Sequence, residues 1–289
     1  VTNEERVGRE GNAFIAPPKD FDPLTADPKD LARYAIPQRP DPQSQPGLSA
    51  LWERQARHYR TFEHLQAEIN RTPRPESALP PKAFRLYPPL TCGYSLYSPA
   101  DPFLSLFVTW TVPNLGYTSS PQGINHFRTF VGLGFLDVHV DMTVDATENV
   151  TSQLSVLGAN GMDVLGLPVA PGDEISAGIC LGKNPPGRAT YVLANETTSQ
   201  TVNFAFDSGF PGAFTIDAGI SRDMGGNPSL NPLAHFDDVH FKEISAATKN
   251  GLTRSLLEGE AVTMVDFDGT TLAKAIQLND TAFKIVSAT

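Results

Sequence analysis

Leu136, Val138, Val140 and Met142 alternate with Asp137, His139 and Asp141 along the chain. A two-residue repeat of this kind predicts a β-strand with one apolar face and one ionisable face. Similar texture recurs at 104–113, 127–135, 174–182, 189–196, 200–207, 212–220, 237–245, 261–268 and 282–288. These runs are rich in Val, Ile, Phe and Thr, and turn clusters such as Asn114-Leu115-Gly116 and Ala170-Pro171-Gly172-Asp173 separate them. Many short strands in succession predict an all-β protein, an antiparallel sandwich or barrel.

Residues 1–88 have a different texture. They are proline-rich and carry no strand period, which predicts extended chain with little regular structure. One main helix is expected over about 49–69, with Ser49 as N-cap. There Leu51, Trp52, Ala56, Tyr59, Phe62, His64, Leu65 and Ile69 fall at helical spacings. A shorter helix is expected to start at Asp27, with Pro28 in its first position. Such an arm needs an apolar surface to cover. It is read as a brace on the domain at 89–289, with a lid over a cleft as the alternative.

Composition narrows the function. The 25 prolines and 23 glycines suit strands joined by turns, and the net charge of −10 argues against nucleic acid or an anionic membrane as partner. No apolar run approaches the roughly 20 residues needed to span a bilayer. The amino terminus, VTNEERVGRE, is polar and does not read as a signal peptide. Two cysteines, Cys92 and Cys180, cannot make a disulfide framework, although a single bridge between them stays open. This usage favours a cytoplasmic location over secretion with a leader removed.

Among motifs, the DFDGT segment at 266–270 follows an apolar strand and imitates the nucleophile loop of haloacid dehalogenase-like phosphatases. That chemistry needs a doubly wound α/β domain downstream, and about 20 residues remain. A hairpin turn at Asp268-Gly269 is the better reading. No P-loop, GxGxxG or GxSxG is present.

Five segments in a fixed order resemble the eqolisin family of glutamic peptidases: FVTWTVPN (107–114), TFVGLG (129–134), VAPGDEISAGI (169–179), GRATYVLANETTSQTVNFAF (187–206) and NPLAHFDDVHFKEISA (231–246). The resemblance implies a concanavalin-like β-sandwich over roughly 90–289. It also implies a concave sheet where the family cleaves peptides with a glutamine and a glutamate. Aligning the apolar positions puts Asp217 in place of the glutamate. The glutamine's place falls on His139 when counted back from Gly172-Asp173, and on Asp137 when counted forward from Phe130. Ser155 takes the place of a further acid, and Phe130 that of a tryptophan.

The expected cleft therefore holds Asp137, His139 and Asp217, with Asp141, Ser155, Phe130 and Trp110 around them. Its first reading is a binding protein or pseudo-enzyme that takes a small-molecule or peptide ligand. The alternative is a hydrolase in which a His139–Asp217 pair supplies a base near neutral pH, or Asp217 an acid. No cofactor is expected. A divalent ion on Asp137, His139 and Asp141, with Asp217 as a further oxygen ligand, is the subsidiary alternative. As a residue on a solvated cleft, His139 is expected to be replaceable without loss of folding.

Overall fold

The computed structural model describes residues 15–70, 86–157, 163–183, 186–222 and 232–288. The apolar alternation becomes two antiparallel-dominated sheets packed face to face. The six-stranded sheet runs Glu260–Val262, Thr91–Tyr97, Thr215–Ser221, Ile124–Leu133, Leu136–Asp145 and Val150–Leu157 in spatial order. The ten-stranded sheet has Phe103–Thr111 at its middle, flanked by Glu174–Lys183 and Val239–Thr248. Leu106, Val108 and Trp110 point inward from that middle strand. They join one core with Val138, Val140 and Met142 and with Ile216, Ala218 and Ile220, all at most 1 % exposed. Burial of each such side chain contributes roughly 1.5–3 kcal/mol, so these alternating positions fix which way every strand faces.

The DFDGT segment is the expected hairpin turn. Met264–Val265 pairs with Thr271–Asn279, and the Gly269 amide donates to the Asp266 carbonyl at 2.9 Å. Gly269 has φ +87°, which glycine adopts without strain. Asp266 is not poised for attack; its carboxylate accepts from Arg222, a nearly buried guanidinium, at 2.8 Å. Both cysteines are free: Cys92 faces the core, and Cys180 lies on the other sheet.

The arm departs from expectation at its main helix. Helix α1, Pro28–Arg33, is capped as predicted, with Asp27 accepting from the amides of Lys29 and Asp30. Helix α2 spans Pro46–Tyr59, starting three residues before Ser49 and ending ten before Ile69. Pro46 opens it because a first-turn residue needs no amide partner. It stops early because Glu63–Leu65 is drawn into the sheet as a parallel edge strand beside Gln200–Val202.

Trp52, Ala56 and Tyr59 pack with Leu31, Ile36 and Val192 on the outer face of the ten-stranded sheet. Asn203 on that face donates its amide to the Tyr59 hydroxyl. The described arm thus lies against the sheet opposite the expected cleft, as a brace would, and not as a lid. The segments at 1–14 and 71–85 fall outside the described residues.

Trp52 anchors the arm: it is 6 % exposed and its indole donates to the Pro37 carbonyl at 2.9 Å. Trp52→Ala should lower stability by about 3 kcal/mol in urea unfolding and speed proteolytic nicking near 40–47. An unchanged midpoint would mean the arm does not brace the sheet.

Candidate functional site

Strand pairing assembles the site on the outer face of the six-stranded sheet. Leu136–Asp145 pairs with Ile124–Leu133 so that Asp137 lies opposite Gly132, His139 opposite Phe130 and Asp141 opposite Arg128. On its other side, Ile124–Leu133 brings Gly132 opposite Asp217 and Phe130 opposite Gly219. Asp217 in turn faces Ser95, and Gly219 faces Gly93. One row across the sheet is therefore Ser95, Asp217, Gly132, Asp137; the next is Gly93, Gly219, Phe130, His139, Ser155. Of the two counts along the sequence, Asp137 and not His139 shares the row of Asp217.

Glycines form the floor beside Asp217. A Cβ on Gly132 would sit 3.9 Å from the Asp137 Cβ and 4.0 Å from that of Asp217. A Cβ on Gly93 or Gly219 would come within 2.1 Å of the facing strand's carbonyl oxygen, so that pair admits no side chain. Thr91, Arg128, Phe130, Phe135 and Asp217 line a narrow pocket of about 30 Å³ here, space for little more than one water.

His139 is not available as a base. It is 5 % exposed, and its Nδ1 lies 2.8 Å from Asp137 and its Nε2 3.1 Å from Asp141. Arg128 closes the chain by donating to Asp141 at 2.6 Å. Burial alone pushes the imidazole down. The Asp137 charge and the hydrogen bonds donated to both carboxylates outweigh burial and the opposing Arg128, raising it to about 9. Asp141 feels burial upward, but its bonds to His139 and the charges of His139 and Arg128 bring it to about 2. Two anions and two cations thus cancel one another.

The His139–Asp217 pairing expected from sequence does not form, because those residues occupy different rows. Both ring nitrogens of His139, on which the metal alternative draws, are held by carboxylates. Among the described residues no group of three or more His, Cys, Asp or Glu side chains is arranged to hold an ion.

Asp217 is the exposed-face acid that is not exposed. It is 2 % accessible, and neither carboxyl oxygen has a hydrogen-bond partner. Burial raises it to about 7; the nearby Ser95 hydroxyl offsets a part of this without reaching hydrogen-bond geometry. Below that pH Asp217 is a neutral donor.

Ser155 and Phe130 take the expected face, each under 9 % exposed, and Gln153 donates to the Ser155 hydroxyl at 3.3 Å. Trp110 does not. It is fully buried between the sheets, donating to Thr129 at 2.9 Å, because it shares the parity of Leu106 and Val108. Arg128 is the site residue that sequence reasoning missed. Its signal was the parity it shares with Phe130 and Gly132 on one strand.

The fold and site define a β-sandwich with a carboxyl buried beside a glycine floor on its smaller sheet. Residues 89–287 match the model of the Peptidase A4 family, and the chain belongs to that family. Scytalido-glutamic peptidase, solved with a transition state analog inhibitor, superposes with a TM-score of 0.52 at 15% identity, covering 69% of this chain and 98% of that one. SCP-B, a member of the eqolisin family solved with the tripeptide Ala-Ile-His, gives a TM-score of 0.50 at 15% identity, with the same shares covered. Among curated proteins, none matches significantly. The concanavalin-like, eqolisin-like sandwich expected from the sequence is thus the observed one.

Two predictions follow from the site's charges. His139→Ala leaves Asp137 without its cation and Asp141 with Arg128 alone. It should destabilise the fold by about 3 kcal/mol at pH 6, contrary to the expectation from sequence of a replaceable residue. Because the folded imidazole is raised, its contribution is full below about pH 6.5 and is lost as pH rises towards 9. Urea unfolding of both proteins across pH 5–10 should show the difference shrink over that window.

Asp217 also lowers stability as pH rises, as a penalty gained and not a contribution lost. Its folded value exceeds its unfolded one, so the native state is penalised progressively from pH 3.8 to about 7. Asp217→Asn should be neutral near pH 3.5 and stabilising at pH 8, by up to about 4 kcal/mol. Equal stability at both pH values would contradict the burial of this acid.

Proposed function

We propose that this chain is a non-proteolytic member of the Peptidase A4 family that binds a peptide on the outer face of its six-stranded sheet. The observation that carries this reading is Asp217, buried without a hydrogen-bond partner and beside a floor of glycine backbone. Buried polar groups are nearly always paired, and an unpaired one costs about 1–3 kcal/mol. Retaining such a group at a cleft suits a protein whose ligand supplies the partner.

A protonated Asp217 donates to a carbonyl oxygen, and a glycine floor lets an extended backbone approach closely. Peptide is the ligand class because SCP-B holds the tripeptide Ala-Ile-His. Catalysis is disfavoured because the one imidazole in the site is a cation with both N–H groups engaged, and because the two strands carry aspartates where the resemblance implies glutamine and glutamate.

A second reading rests on the row itself. Asp137, in its ion pair, and Asp217, neutral below about pH 7, stand on either side of Gly132. A neutral carboxyl near a second carboxyl that is held by a cation is the arrangement of an acid/base pair.

Incubation with denatured protein and a mixed peptide pool at pH 3, 5 and 7 separates the two. The binding reading predicts no cleavage at any pH. It predicts saturable peptide binding that survives Asp217→Asn, which can still donate, and falls about tenfold in Asp217→Leu. Hydrolysis at pH 5–7 that disappears in Asp217→Asn would establish the acid/base pair instead.

A further inference from the structure

On the far side of the sandwich, between the arm and the ten-stranded sheet, lies a cavity of about 440 Å³. Leu51, Trp52 and Gln55 of helix α2 line it from above, and Ser105, Phe107 and Gly178 from the sheet below. A second space of about 270 Å³ shares the Trp52, Gln55 and Phe107 walls. Small-molecule sites span roughly 300–1,000 Å³, a range that includes the larger of the two.

Two observations separate this cavity from loose packing. The first is Gly178. A Cβ there would meet Phe107 at 3.8 Å and Gln55 at 4.0 Å, ordinary contacts, so the strand has room for a larger residue and carries none. The second is a pair of unsatisfied polar groups on the wall. Ser105 is 8 % exposed and its hydroxyl has no hydrogen-bond partner; the side-chain amide nitrogen of Gln55 has none either. A hydroxyl and an amide donor, unpaired beside apolar walls, suit a ligand group that accepts hydrogen bonds. An ionised carboxylate, which only accepts hydrogen bonds, meets that requirement.

We propose that this cavity binds a medium-chain fatty acid or a molecule of the same chemistry, an apolar body ending in a carboxylate. The apolar body lies along Leu51, Trp52 and Phe107, and the carboxylate accepts from Ser105 and Gln55. This site is independent of the peptide reading, because it lies on the other sheet.

Isothermal titration of the full chain with sodium decanoate, and separately with 1-decanol, tests the proposal. The expected result is saturable one-site binding of decanoate, tighter than that of decanol. Affinity should fall about three- to tenfold in Ser105→Ala, the effect of one buried hydrogen bond, and at least about tenfold in Gly178→Leu, whose side chain fills the cavity. Asp217→Asn should leave decanoate affinity unchanged. Should Gly178→Leu fail to fold by circular dichroism, Ser105→Ala and Gln55→Leu decide the matter. No saturable binding to the native chain, or undiminished binding in the Ser105 and Gly178 variants, overturns the site. Decanol binding as tightly as decanoate overturns the carboxylate.

Discussion

Everything in this molecule follows from the requirement that two sheets bury their inner faces against each other. Val138, Val140 and Met142 share one core with Val108 and Trp110, and the Trp110–Thr129 hydrogen bond ties the layers together. With those positions committed to the core, the pleat sends Asp137, His139 and Asp141 to the outer face. A register slip of one residue would bury all three among aliphatic side chains, at several kcal/mol each if unpaired. The chemistry of the outer face is therefore set by the core beneath it.

That face resolves its charges internally. The four groups Asp137, His139, Asp141 and Arg128 form a chain of hydrogen-bonded ion pairs in which each carboxylate has a cation. Such a chain rigidifies a site, and it also removes the imidazole lone pair on which a base depends. Asp217 stands outside the chain, in the row of Asp137 and two strands from it, with its carboxyl neutral below about pH 7. The site thus separates into a closed electrostatic support and one open hydrogen-bonding group. This division suits recognition better than proton transfer.

Much of the fold was legible because alternation is a strong signal: Leu136–Asp145, Gln200–Asp207 and Ala282–Ser287 fall where the pattern places them. The strand Thr91–Tyr97 was not, because Gly93 and its small polar neighbours dilute the period. The end of helix α2 was not, because Glu63–Leu65 obeys a pairing with a strand some 137 residues away, Glu63 bonding Gln200. Within the site, parity located Asp137, His139, Asp141 and Asp217 on one face. It could not choose between Asp137 and His139 for the row of Asp217, since both have the same parity. Only Gly132, paired on both sides, decides it. Trp110 could have been placed correctly from its own strand, where it alternates in phase with Leu104, Leu106 and Val108.

The central claim is that His139 is a cation locked between two carboxylates. Nitrogen-15 NMR of the His139 ring across pH 5–10 tests it most directly. The account predicts both ring nitrogens protonated through pH 7.5, with titration near pH 9. A neutral imidazole at pH 7.5, titrating at or below its ordinary value of about 6.5, would contradict it and restore His139 as a candidate base.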